Sequence, residues 1–285
     1  MTSRISMRVW FLFAGALVMF AVAAVWRYRE ERRAAPPAVP SVAPVVAEAP
    51  TTPCAVPVVL ARRGRFHSDV FSTAPTDWRV AGAAIAEVAN RWQCDPRWSF
   101  FVLKNDRREG KAAALWSKYL YPGDVAVEFF VANKMEGQRG QPYTYARDIN
   151  VTICADGSDL RKGYTFMWGG YGNTVSVILR NGVEVARCQG RIPTDMKYHN
   201  SWFTYCVEKQ GGKLTFRVTD HYAKHGPLVD LTYNDPQPLQ GDRVAVWTYD
   251  HAIMLARTLI SGDGGETTES PDFQPGPLKT PYDDK

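Results

Sequence analysis

Apolar and polar side chains alternate with a period of two through the middle of the chain. Residues 124–132 read DVAVEFFVA, which puts Val125, Val127, Phe129 and Val131 on one face and Glu128 and Phe130 on the other. Residues 148–155 read DINVTICA, with Ile149, Val151 and Ile153 opposed to Asp148, Asn150 and Thr152. Such alternation marks half-buried strands, not helices. Residues 164–168 (YTFMW) and 174–180 (TVSVILR) are further strands. Asn181-Gly182 then predicts a two-residue turn, because both residue types tolerate positive φ, and pairs 175–179 with 183–187 as a hairpin. Residues 201–208 and 214–220 form a second hairpin around Gly211-Gly212, and 243–249 with 253–260 close the series. Short strands at regular spacing predict an all-β antiparallel sandwich or barrel. The segment 81–91 (AGAAIAEVANR) stays open: its alanines favour helix, its surroundings strand.

The pattern changes at both ends. Val9 to Trp26 is a run of eighteen uncharged residues, close to the minimum for spanning a bilayer. Arg4 and Arg8 precede it, and Ala21-Val22-Ala23 resembles a signal-peptidase site, so a retained single-pass anchor (residues 1–33) and a cleaved signal both fit. Either one exports the remainder of the chain. The four arginines after the segment oppose that orientation, but the positive-inside rule weakens for long translocated domains. Residues 34–59 are dense in Pro, Ala and Val and predict a semi-rigid spacer. Residues 262–285 are polar and rich in Gly and Pro, and predict a disordered tail. The expected folded domain is thus residues 60–261, outside the cytoplasm.

Charge supports the division. Of 34 basic and 29 acidic side chains, six arginines and two glutamates fall in residues 1–33, leaving 28 and 27 for the rest. The domain is nearly neutral, so the electrostatic footprint of a nucleic-acid binder is missing. Cys54, Cys94, Cys154, Cys188 and Cys206 form no CxxC and no Cys/His cluster, which argues against zinc. In an exported domain they allow two disulfides and one free thiol; buried free thiols are the other reading.

The segments 66–78, 114–128, 148–171, 199–202 and 246–260 together resemble the concanavalin A-like lectin/glucanase superfamily, in particular its secreted or membrane-anchored bacterial members. That resemblance implies a two-sheet jelly roll, a carbohydrate partner and, at the sandwich edge, a structural calcium ion. The glucanases of the superfamily carry an ExDxE strand with catalytic carboxylates on one face. Here the nearest equivalent is Asp148-Ile149-Asn150, whose amide serves as neither nucleophile nor acid. The leading expectation is therefore a carbohydrate-binding module. A glycan hydrolase or lyase using Glu128 and Asp148, and a structural envelope protein, are the alternatives.

Several side chains are candidates for contact with a ligand. Glu128, Asp148, Asn150, Thr152, Ser176 and Arg180 would share one polar face if their strands were neighbours, and could hydrogen-bond sugar hydroxyls; a plain solvated face is the alternative. In GYTFMWGGYGN, Trp168 and Tyr171 offer rings for stacking on sugars and Asn173 an amide, while Trp168 equally suits a core position. Asp69 and Asp250, with Asp77 and Asp124, are candidate calcium ligands. Residues 156–159 (DGSD) lack the rest of an EF-hand loop and read as a turn. The five histidines are scattered, and no nucleophile elbow or phosphate loop occurs.

Overall fold

The computed structural model describes residues 66–69, 77–82, 84–89, 100–105, 112–133, 148–193, 201–220, 226–249, 252–262, 270, 272–276 and 278–283. The strands in chain order are β1 (Phe66–Asp69), β2 (Trp78–Gly82), β3 (Ala84–Ala89), β4 (Phe100–Asn105), β5 (Ala112–Ser117), β6 (Val125–Asn133), β7 (Ile149–Ala155), β8 (Tyr164–Gly169), β9 (Val175–Arg180), β10 (Val183–Cys188), β11 (Phe203–Gln210), β12 (Lys213–Asp220), β13 (Val229–Asn234), β14 (Arg243–Tyr249) and β15 (Ala252–Gly262). They form two antiparallel sheets. One has eight strands in the order β13-β12-β11-β6-β15-β4-β3, with β1 paired to β15; the other has seven, in the order β10-β9-β8-β7-β14-β5-β2.

The period-two segments are strands, and both hairpins form. Asn181 and Gly182 adopt φ of 47° and 79°, as a two-residue turn between β9 and β10 requires. In its described residues, the ambiguous stretch 81–91 resolves into the end of β2 and the whole of β3. β3 pairs along its length with β4, and the end of β2 pairs with β5, which makes the stretch strand and not helix.

One core fills the space between the sheets. Val127, Phe129 and Val131 of β6 meet Ile149, Val151 and Ile153 of β7 and Phe166 and Trp168 of β8. Phe129 stacks on Tyr205 at 4.7 Å, and the Tyr205 hydroxyl crosses to the carbonyl of Phe166 at 2.7 Å. Burying a large aromatic side chain of this kind is worth about 1.5–3 kcal/mol.

A second apolar layer lies on the far side of the seven-stranded sheet. Ala114, Trp116, Met167, Val177 and Trp247 are buried there, with Phe273, Leu278 and Tyr282 packed against them. The segment expected to be a disordered tail is therefore, in its described residues, a strap over this sheet. Its composition is polar, but three apolar side chains at intervals of five and four anchor it. The loop at Asp156–Asp159 is a turn, its carboxylates held by Ser158, Lys162 and Arg161.

Cys154, Cys188 and Cys206 are free thiols, which rules out two disulfides among five cysteines. Burial pushes the Cys154 thiol up to about 11. The expected membrane segment and spacer lie outside the described residues, as do Cys54 and Cys94. No helix among the described residues is long and apolar enough to cross a membrane.

Candidate functional site

The outer face of the seven-stranded sheet carries the chemistry. Register sets Met167, Asn150, Trp247 and Ala114 side by side across β8, β7, β14 and β5. Because strand side chains alternate, Asn150 points away from the core that takes Ile149 and Val151. Asp148 stands two positions before it, at the mouth of β7.

Asp148 is 1% exposed. Its Oδ1 accepts the Tyr249 backbone N–H at 2.7 Å, and its Oδ2 accepts the Tyr282 hydroxyl at 2.6 Å. Burial pushes this carboxyl above its ordinary range, and the hydrogen bond from Tyr282 opposes the shift without cancelling it. Trp247 Nε1 donates to Thr152 Oγ1 at 2.9 Å, and Thr152 lies 3.0 Å from Thr165.

Two groups on this face fare differently. Asn150 is fully buried, and neither atom of its amide makes a hydrogen bond of acceptable geometry. Its amide lies against the Asp148 carboxyl and favours the charged form there. Trp116 Nε1 is also buried and without a partner. Such groups cost about 1–3 kcal/mol each and call for a reason.

The strap crosses above them. Phe273 meets Trp116 edge-on at 6.2 Å, with the Arg243 guanidinium 3.9 Å over its ring. Tyr282 lies 4.6 Å from the Tyr249 ring and 5.9 Å from that of Tyr171. Burial raises the Tyr282 phenol, and the neighbouring Asp148 raises it further.

Of the residues singled out from sequence, the fold brings together Asp148, Asn150, Thr152 and Tyr171. The others go elsewhere. Glu128 sits on β6 in the opposite sheet and faces outward, where Cys206 Sγ donates to it at 3.7 Å. Packed sheets lie about 10 Å apart, and here both side chains point away from the gap, so the separation exceeds the roughly 5–9.5 Å that glycosidase carboxyl pairs need. Glu128 and Asp148 are not a catalytic pair. Trp168 is core, edge-on to Phe203 at 5.0 Å. Arg180 pairs with Asp235 at 2.6 Å and closes a network with Tyr164. Asn173 binds both backbone groups of Ile192 and fixes the loop.

Of the residues nominated for calcium, Asp69, Asp77 and Asp124 fall among the described residues. Asp69 is in register with Thr258, six positions along β15 from Ala252, or about 20 Å. Asp250 lies outside the described residues. Asp124 is taken by Lys209 and Gly211. Among the described residues no three acidic, His or Cys side chains gather as a metal group. The histidines other than His67 also lie outside the described residues.

Sequence reading missed Trp116, Met167, Trp247, Tyr249 and Tyr282. The alternation in RVAVWTY already puts Trp247 and Tyr249 on one face. Nothing local said that this face was the covered one.

No protein-family model matches the chain, and neither does any curated protein. Solved structures of the concanavalin A-like lectin fold do. The VIP36 exoplasmic/lumenal domain in its Ca2+/Man2-bound form is 11% identical, with 74% of this chain and 95% of that one covered and a TM-score of 0.49. A lectin from Bauhinia forficata in complex with GalNAc is 14% identical, covering 72% and 100%, at 0.48. A protein with a galectin-like fold from Bacillus subtilis is 10% identical, covering 70% and 97%, at 0.46. This is a likeness of fold.

Proposed function

We propose that this protein is a carbohydrate-binding module and that its ligand face is the outer face of the seven-stranded sheet, centred on Asp148 and Asn150. The observation that carries the reading is the Asn150 amide, buried on that face with neither its nitrogen nor its oxygen in a hydrogen bond of acceptable geometry. A polyhydroxylated ligand supplies both kinds of partner at once. Asp148 adds a carboxylate acceptor, Trp116 a free indole N–H, and Tyr249 and Tyr171 offer rings for stacking. An apolar ligand would leave the amide unsatisfied, and a cationic one would call for more than a single carboxylate.

We further propose that the N-terminal apolar run tethers the module to a membrane, with the Pro-rich spacer holding it outside the cytoplasm. A phosphatase fused at residue 60 should then be active, and an inactive fusion refutes the topology.

The test of binding is an array of mannose-, galactose- and N-acetylgalactosamine-terminated oligosaccharides probed with the full chain. Asn150→Leu should lower binding by about tenfold or more, the worth of one to two hydrogen bonds. Unchanged binding by that variant removes the site from the proposal.

A further inference from the structure

The strap that covers this face is poorly matched to it. Among its described residues, 270, 272–276 and 278–283, none pairs as a strand with the sheet below. Its backbone bonds to the body are scattered: Ser270 N–H to Lys118 O at 2.9 Å, Gly276 N–H to Gly157 O at 3.0 Å, and Leu160 N–H to Lys279 O at 3.1 Å. A cover that belonged permanently to the core would satisfy the polar groups it buries. This one leaves Asn150 and the Trp116 indole N–H unsatisfied while it satisfies Asp148.

Its tip has the chemistry of a ligand. Tyr282 offers a hydroxyl on a flat ring, donated to a buried carboxylate and flanked by the rings of Tyr249 and Tyr171. The tip also holds its own shape. Thr280 Oγ1 donates to Asp283 Oδ2 at 3.1 Å and accepts the Tyr282 N–H at 3.2 Å, and the Asp283 N–H returns to Thr280 O at 3.1 Å. These bonds are internal to the strap.

We infer that the described residues of the strap are an intramolecular occupant of the binding face, with Tyr282 standing on Asp148 where a carbohydrate hydroxyl binds, so that carbohydrate and strap exclude one another. This rests on the carbohydrate reading of the face. Its consequence is an affinity reduced by the fraction of time the strap is closed.

Two measurements on the full chain test it, and they separate its failure from that of the reading beneath it. The first is native-state hydrogen exchange, which needs no variant. If the strap opens by itself, the Gly276 and Leu160 amides exchange at least about tenfold faster than the β7 ladder amides, through an opening smaller than global unfolding. Equal rates mean that the strap leaves only when the domain unfolds, and overturn the inference. The second is binding to the same oligosaccharide array by wild type and by Tyr282→Phe, which keeps the ring and loses the hydroxyl. Loss of one charge-assisted hydrogen bond should open the strap more often and raise binding about ten- to a hundredfold. Array binding that is the same in both chains overturns the inference and leaves the carbohydrate reading standing. Fast strap exchange with no array binding by either chain refutes the carbohydrate reading, and establishes the strap as a cover that opens without it.

Discussion

The two sheets of this sandwich treat their outer faces in opposite ways. On the eight-stranded sheet, β11 and β12 alternate strictly between buried and half-buried positions. Their outward side chains, such as Arg217 with Asp230 on β13, form ion pairs and hydrogen bonds in contact with water. On the seven-stranded sheet, β5, β7 and β8 are buried at every position. The first sheet is wet on its outer face along β11 and β12, although Trp202 and Met254 are buried with Ala132 and Ala256 beside β6 and β15; the second has a covered face that carries polar groups its cover does not serve. Antiparallel sheets commonly keep one face solvated, so the second arrangement is the one that asks for a function.

The largest expected difference between the faces is in stability. Trp247→Ala removes a fully buried ring and a bond to Thr152, and should cost about 3–5 kcal/mol in denaturant unfolding. A cost near that of a surface substitution would mean that the strap does not cover this face in solution.

Asn150→Leu sharpens the contrast in the other direction. It should lose carbohydrate binding while leaving stability unchanged or raising it by about 1–3 kcal/mol, because an unsatisfied amide is replaced by an apolar group of similar size. A clear loss of stability would show that the amide already has a partner.

Asp148 adds a pH dependence. Its carboxyl titrates above its ordinary 3.8 in the folded chain because it is buried. The folded state therefore holds that proton more tightly than the unfolded state does. The stability from this group is full below 3.8 and is lost as pH rises through the folded value. Asp148→Asn should flatten that decline in urea unfolding measured at stepped pH. An equal slope in both chains would place the carboxyl in contact with water.

The smallest effect belongs to the exposed pair. Arg217→Ala should change stability by no more than about 0.5 kcal/mol, since Asp230 and Arg217 are both open to solvent. A larger cost would mean that the outer face of the eight-stranded sheet is also packed against something.

Much of this architecture can be read from the residues in order. The alternation in DVAVEFFVA and DINVTICA specified strands and chose which side chains face the core, since a period of two has only two outcomes. Asn181-Gly182 specified its hairpin because few residue pairs accept positive φ at both positions. The strand β5 was harder to see: AAALWS is apolar throughout and carries no alternation when both faces are buried.

The sequence alone determined the extended elements, their inward faces and the near-neutral charge of the domain, because these depend on neighbours along the chain. Which strands share a sheet was decided only in three dimensions. That decision put Glu128 and Asp148 on opposite sides of the core and gathered Asp148, Asn150, Trp247 and Trp116 on one face. It also turned a polar, Pro-rich tail into a strap. Three apolar anchors are too few to signal burial in a composition, yet they suffice once a complementary apolar face exists for them to meet.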